Sequence, residues 1–259
     1  MKKNILITGA SRGIGEQIAI QYAASDVNLI LVARDPQKLV HVTQNCQRKG
    51  ANVFSKSIDV QNAKELKEFI LNVDNEMPID LVIANAGVSS TLQSDWKPEN
   101  EEDINQVFAI NLQGTINTVN PLIPGMIERK KGQIAIMSSI AGLRGLPQSP
   151  SYCASKAATY TYGQSLRAWL SRYKIQVNVI CPGYVKTDMS DRLTGMKPFL
   201  MSREKAAKKI HKGLHKNKAT IAFPWSLHML MRMSHFLPSR SVNAILNCFE
   251  SHINLEAGR

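Results

Sequence analysis

The chain has 259 residues, 44% of them hydrophobic, and its 32 Lys and Arg against 20 Asp and Glu give a net charge of +12. A chain of this length buries about 70–75% of its unfolded surface without disulfide support, and no run approaches the roughly 18 apolar residues of a membrane-spanning helix. Cys46, Cys153, Cys181 and Cys248 show no C-x-x-C pairing and the six histidines no ligand spacing, which argues against a disulfide scaffold or metal centre and for free thiols in the cytoplasm.

Taken in chain order, the apolar run Asn4–Thr8 leads into "ITGASRGIGEQIA", residues 7–19, where Gly9, Gly13 and Gly15 precede a helical pattern of Ile14, Ile18 and Tyr22. A second run, Val27–Ala33, ends in Arg34, and Asp35-Pro36 reads as a cap followed by proline at the first helical position. Further strands are predicted at Val53–Ile58, Ile79–Ala84, Gln133–Ser138, Ile175–Ile180 and Thr220–Phe223. Helices are predicted at Glu65–Asn75, at Glu101–Met126 (kinked or ended by Pro121 and Pro124) and at Ser151–Tyr173. Most strands are almost unbroken Ile, Leu and Val, as in strands covered on both faces. Such alternation describes one α/β domain over residues 1–259: a doubly wound, Rossmann-type sheet of about seven parallel strands with helices on both faces.

Ligands in such a fold bind beyond the C-terminal strand ends. Glycines between the first strand and first helix bring backbone against a pyrophosphate, and the helix N-terminus supplies N–H donors. Folds that prefer NAD place a carboxylate at the end of the second strand. Here Ala33 stands there and Arg34 follows. A guanidinium suits a 2′-phosphate, and Arg12 reaches toward the same phosphate from the glycine loop, so NADP(H) is the expected cofactor. Asp35 is read as the cap of the next helix rather than as the ribose acceptor.

"SSIAGLRGLPQSPSYCASKAA" places Ser138 and Ser139 just past the fifth strand, with Tyr152 and then Lys156 one helical turn apart. A lysine on that face favours phenolate and lowers the tyrosine pKa, making it a usable proton donor near neutral pH. Ser139 is placed to hydrogen-bond a carbonyl oxygen. Cys153 is read as a small inert filler.

These pieces together resemble the short-chain dehydrogenase/reductase family over roughly residues 3–225. "TGASRGIG" is similar to its cofactor loop, "NAG" at 85–87 to the motif after the fourth strand, and "SYCASK" to its active-site Y-x-x-x-K. Asn111 in "FAINLQG" sits where the family has a helix asparagine, and "CPGYVKT" at 181–187 resembles its P-G segment. The resemblance implies a hydride transfer in which Tyr152 is the general acid, Ser139 polarises the carbonyl and Lys156 lowers the tyrosine pKa and holds the nicotinamide ribose. Asn111 would keep a helix distorted for a water relay. Gly9, Ser11, Arg12, Gly13, Ile14 and Gly15 would meet the cofactor with Arg34. Asp59 and Val60 would take the adenine, Asn85, Ala86 and Gly87 the adenosine side, and Pro182, Gly183, Val185 and Thr187 the nicotinamide.

Specificity is expected in 142–151 and in a lid over 188–215. The stretch Met189–Met201 carries Leu193, Met196, Phe199, Leu200 and Met201 beside Arg192 and Lys197. An apolar lid favours a small apolar carbonyl substrate, lipid-like or acyl. Residues 224–259 form a C-terminal extension, and "FPWSLHMLMRMSHFLPS" at 223–239 is read as pocket cover or subunit interface ahead of peripheral membrane contact. The helices at 101–126 and 151–173 would join a homodimer or homotetramer, as the resemblance implies. The basic stretches 128–132 and 202–218 lack interleaved aromatics and read as solvated faces, so no nucleic-acid partner is expected. The leading reading is an NADPH-dependent carbonyl reductase. NAD-dependent alcohol oxidation and a non-catalytic NADPH-binding regulator are the alternatives.

Overall fold

The structure, a computed structural model, describes residues 2–93, 96–191, 197–238 and 240–242. Seven parallel strands, β1 (Lys3–Thr8), β2 (Val27–Ala33), β3 (Asn52–Ser57), β4 (Leu81–Ala84), β5 (Gln133–Met137), β6 (Gln176–Pro182) and β7 (Thr220–Phe223), form one sheet in the order β3-β2-β1-β4-β5-β6-β7. Pairing is in register from Ile5↔Leu29 on one side of β1 to Ile5↔Leu81 on the other. Alternate residues feed two cores. Ile5, Ile7, Leu29 and Leu31 pack under α1 (Gly13–Tyr22) and α2 (Pro36–Gln47), whereas Leu6, Ile30 and Val32 pack under α3 (Ala63–Glu76) and the helices that follow it. Strand order reverses between β1 and β4, so the switch point opens between the ends of those strands.

β3 meets the expected strand Val53–Ile58 within a residue, whereas the expected long helix is divided. β3 is an edge strand, exposed along almost its whole length, with Lys56 and two serines where a buried strand would carry aliphatics. The long helix expected at Glu101–Met126 is cut into α4 (Glu101–Val107), a π-helical turn (Phe108–Gln113), α5 (Gly114–Val119), a 3-10 turn (Asn120–Leu122) and α6 (Ile123–Glu128). Pro121 accounts for the 3-10 break, because it cannot donate the helical hydrogen bond.

The lid assigned to 188–215 also divides. After α7 (Pro150–Leu170) and β6, the short α8 (Asp188–Asp191) and residues 197–201 are, among the described residues, those that stand by the strand ends, while α9 (Arg203–His215) buries Ala206, Ala207, Ile210 and Leu214 in the sheet core beside α1. Its apolar residues recur at three- and four-residue spacing, the signature of a helix covering a sheet rather than of a moving loop. Val185 and Met201 form a bridge across the base of this segment, with Lys186 N donating to Met201 O at 2.9 Å and Met201 N to Tyr184 O at 3.0 Å. Arg192, Leu193 and Met196 lie outside the described residues, as does Cys248. The last described elements are α10 (Trp225–Met233) and a 3-10 turn (Ser234–Phe236). Among the described residues no helix is long and apolar enough to cross a membrane.

Candidate active site

The glycine loop is shaped by contacts that a side chain would forbid. Gly9 and Gly13 have φ of +65° and +61°, in the region that favours glycine. A Cβ on Gly9 would fall 2.7 Å from Ala86 Cα, and one on Gly15 would run into the Gly9 carbonyl. Asn85 fixes the loop from β4: its Nδ2 donates to Thr8 O at 3.0 Å and Gly9 O at 3.1 Å. Arg12, at the N-cap of α1, is extended and makes no side-chain cap bond. Ser11 and the first-turn residues Gly13, Ile14 and Gly15 line the cavity, so the first-turn N–H groups of α1, uncapped by a side chain, belong to its wall. Gly13 lies against Thr187, whose Cγ2 would be 3.3 Å from an added Cβ.

At the far end of this cleft Asp35 caps α2, accepting from Lys38 N at 3.1 Å, as the sequence suggested. Arg34 lies 3.6 Å from Asp59 and Arg12 lies 3.5 Å from Asp188. Each guanidinium thus rests on a carboxylate, and the two are not brought together as a clamp by any direct contact. Lys38 lines the same end. Its position four residues after Arg34 was the available signal for it, and sequence reasoning passed over it. Val60 packs on Gly114, where a Cβ would collide with its side chain.

Ser139, Tyr152 and Lys156 meet at the C-terminal end of β5. Ser139 caps a 3-10 turn (Ile140–Gly142), accepting from Ala141 N at 3.1 Å and donating to Pro182 O at 3.4 Å. Gly142 lets that turn touch α7, since a Cβ there would fall 2.6 Å from the Lys156 carbonyl. Ser138 Oγ donates to the same carbonyl at 2.7 Å, so Ser138 is structural. Lys156 is buried, its Nζ donates to Met137 O at 3.0 Å, and it stands 5.7 Å from the centre of the Tyr152 ring.

The sequence expectation that Lys156 lowers the Tyr152 pKa is not met in this arrangement. Burial pushes the phenol up to about 12, opposed by hydrogen bonding with Ser139, and burial pushes Lys156 down to about 8. Lysine desolvation weakens the cation that was to stabilise phenolate.

Asn111 lies in the π-helical turn, fully buried. Its Nδ2 donates to Val88 O and Ser155 Oγ, both at 3.0 Å, and its Oδ1 accepts from Val88 N at 2.8 Å. Its carbonyl accepts from Thr115 Oγ1 at 2.6 Å. The asparagine therefore ties the distorted helix to the segment after β4 and to α7.

Sequence reasoning missed Glu99. Its carboxylate accepts from Ser151 N at 3.0 Å and Ser151 Oγ at 2.8 Å, and from Ser90 Oγ, while Ser90 and Ser151 lie 2.7 Å apart. A carboxylate thus sits on the N-terminus of the helix that carries Tyr152 and Lys156.

Glycine loop, strand ends and catalytic trio line one cavity of about 950 Å³. Gly87, Pro182, Gly183, Tyr184 and Val185 line it together with Leu146, Met189 and an apolar set from α10 and the turn after it, Leu227, Leu230, Met231, Met233 and Leu237. The described part of the stretch after β7, α10 and the turn following it, thus borders the pocket. The dinucleotide fits the residues present: a cradle that Cβ atoms would fill, helix N–H donors, and cations at the far end.

The fold and site define a nucleotide-dependent oxidoreductase. The chain matches the family model for short chain dehydrogenase over residues 3–198, and it belongs to that family. It is 34% identical over 238 residues to an uncharacterized oxidoreductase of Myxococcus xanthus, covering 92% of this chain and 93% of that one. It is 32% identical to the 3-oxoacyl-acyl-carrier-protein reductase of Staphylococcus aureus, covering 75% and 79%. Among solved structures, a short-chain dehydrogenase from Sphingobium yanoikuyae in complex with NADPH superposes with a TM-score of 0.78 at 23% identity, covering 86% of this chain and 88% of that one. One from Mycobacterium paratuberculosis bound to NAD superposes at 0.73 and 26% identity, covering 85% and 94%.

Proposed function

We propose that the chain reduces an apolar carbonyl compound, a ketone or 3-oxoacyl or lipid-like substrate, to the alcohol with NADP(H). The observation that carries this reading is the meeting of Ser139, Tyr152 and Lys156 at the inner end of an apolar-walled cavity that also contains the glycine loop. The bound nicotinamide would supply hydride. Ser139 Oγ would donate to the substrate carbonyl, increasing the charge separation at its carbon. Tyr152 Oη, kept protonated by burial, would give its proton to the developing alkoxide. Lys156, held beside Met137 O and close to Asn111, would return a proton toward Tyr152 and bind the nicotinamide ribose. Gly9, Gly13 and the α1 N-terminus would hold the pyrophosphate, with Asn85 and Ala86 beside the adenosine. Asp59 and Val60 would meet the adenine, and Pro182, Gly183, Val185 and Thr187 the nicotinamide.

Arg34 and Lys38 support a 2′-phosphate at the far end, and the engagement of Asp35 in its cap leaves it less able to take a ribose hydroxyl. The Arg34–Asp59 pair favours the second reading, NAD-dependent alcohol oxidation, to the extent that it neutralises the guanidinium. A cytoplasmic setting agrees with the free, buried Cys46, Cys153 and Cys181. Association as a homodimer or homotetramer is supported by Phe108 and Trp169, exposed on the π-turn and α7.

The test is NADPH consumption across ketones, quinones, 3-oxoacyl thioesters and keto-lipids. Tyr152→Phe is expected to lower turnover by about 10²–10⁴-fold with NADPH affinity retained. An unimpaired variant refutes the mechanism.

A further inference from the structure

α10 is apolar on almost every side. Leu227 and Met231 turn inward against Ile140, Val179 and Cys181. The outward arc carries Trp225, Leu230 and Met233 with one cation, Arg232, and Trp225 is 70% exposed. The turn that follows adds Leu237 and Phe236, the latter 83% exposed. A surface helix normally shows water a charged arc. α9 does so with Lys205, Lys208, Lys209 and Lys212. Apolar surface gathered this densely marks a contact site.

Two observations choose the occupant. The first is charge. No aspartate or glutamate occurs between Glu204 and Glu250, whereas α10 and the residues just after it carry Arg232 and Arg240, on a chain of net charge +12. A second copy docked on this face would set cation against cation, and an anionic surface would be attracted. The second is continuity with the cavity. Leu230, Met233 and Leu237 are at once exposed and part of the wall of the cavity that reaches Tyr152. A protein partner seated there would stopper the cavity mouth, while an acyl layer would extend its apolar wall outward. An exposed tryptophan at the edge of such a patch suits the headgroup boundary of a lipid surface.

We propose that the face formed by α10 and the turn after it docks on an anionic lipid surface, and that substrate passes from the acyl layer between Leu230, Met233 and Leu237 into the cavity. The entry route rests on the reductase reading, but the docking does not.

The experiment is co-sedimentation of the full chain with phosphatidylcholine vesicles, with and without phosphatidylglycerol. Binding is expected to the phosphatidylglycerol vesicles and to weaken with added salt. Trp225→Ser combined with Phe236→Ser is expected to lower that binding by about tenfold or more. Neither residue lines the cavity, so NADPH-dependent turnover of a water-soluble ketone should stay unchanged in the double variant, and its melting temperature confirms folding. No binding to anionic vesicles overturns the proposal, as does equal binding by a folded double variant. It is also overturned if the wild type self-associates through this face, seen as an oligomer in sedimentation velocity that the double variant loses. Vesicle binding by a chain that reduces no carbonyl tested would uphold the docking and count against the reductase reading alone.

Discussion

Burial acts in opposite directions on the two titratable groups at the centre of the site. Tyr152 is pushed up to about 12 and Lys156 down to about 8, so the phenol holds its proton while the ammonium is easily discharged. The four-residue spacing made their pairing legible in the sequence. Their desolvation was not legible, because it depends on Met137, Gly142 and the cavity wall contributed by other parts of the chain. Arg34 shows the same division: its place after β2 was readable, its partner Asp59 was not. If Arg34 holds a 2′-phosphate, Arg34→Ala weakens NADPH binding by about 10- to 100-fold, the worth of a charge-assisted hydrogen bond, and leaves NADH binding nearly unchanged. Calorimetric titration of both cofactors decides this, and a wild type that binds the two equally removes the arginine argument.

Among the elements, α7 is the one whose placement the chemistry depends on. Glu99, Ser90 and Ser151 pin its first turn, Ser138 and Gly142 its middle, and Asn111 joins it through Ser155. The helix itself could be read from its alanines and its Tyr-Lys spacing. The Glu99 contact could not, since it joins residues 52 apart and the stretch around Glu99 has no periodicity. The π-turn at Asn111 was implied only through the family resemblance, whereas the break at Pro121 follows from proline chemistry alone. Replacing Glu99 with Gln leaves the Ser151 amide and two hydroxyls short of an anionic acceptor. Glu99→Gln is expected to cost about 1–3 kcal/mol in urea unfolding and to lower kcat more than it raises KM, with Glu99→Asp recovering part of both. An unchanged kcat would mean that the contact serves stability only.

For the whole molecule, runs of Ile, Leu and Val announced the sheet because its central strands are covered on both faces, and β3 was legible at Val53–Ile58 although, as an edge, it needs no such cover. α9 was misplaced in a lid because its lysine-rich outer face hides a regular inner row, Ala206, Ile210 and Leu214. Global stability should register the buried lysine. Below pH 8 Lys156 is protonated in both folded and unfolded chains and its burial cost is fully present; between about 8 and 10.5 only the unfolded chain keeps the proton, so stability rises. The span corresponds to about 3 kcal/mol. Above pH 9 the buried thiols Cys46 and Cys181, whose pKa values are raised to about 11 and about 12, act in the opposite direction. Unfolding free energy of the cofactor-free chain, measured between about pH 7 and 9, should therefore climb relative to Lys156→Met, and parallel curves would show that Lys156 carries no such cost. Finally, the Val185–Met201 bridge gives the stretch of chain between those residues fixed feet. Chain length between them can change at a closure cost of only about 0.6 kcal/mol per doubling, while β6 and α9 keep their seats. The span after Ser190, whose hydroxyl holds Thr187 in place, is thus an exchangeable cassette, through which one scaffold can acquire a new substrate range without refitting its cofactor cleft.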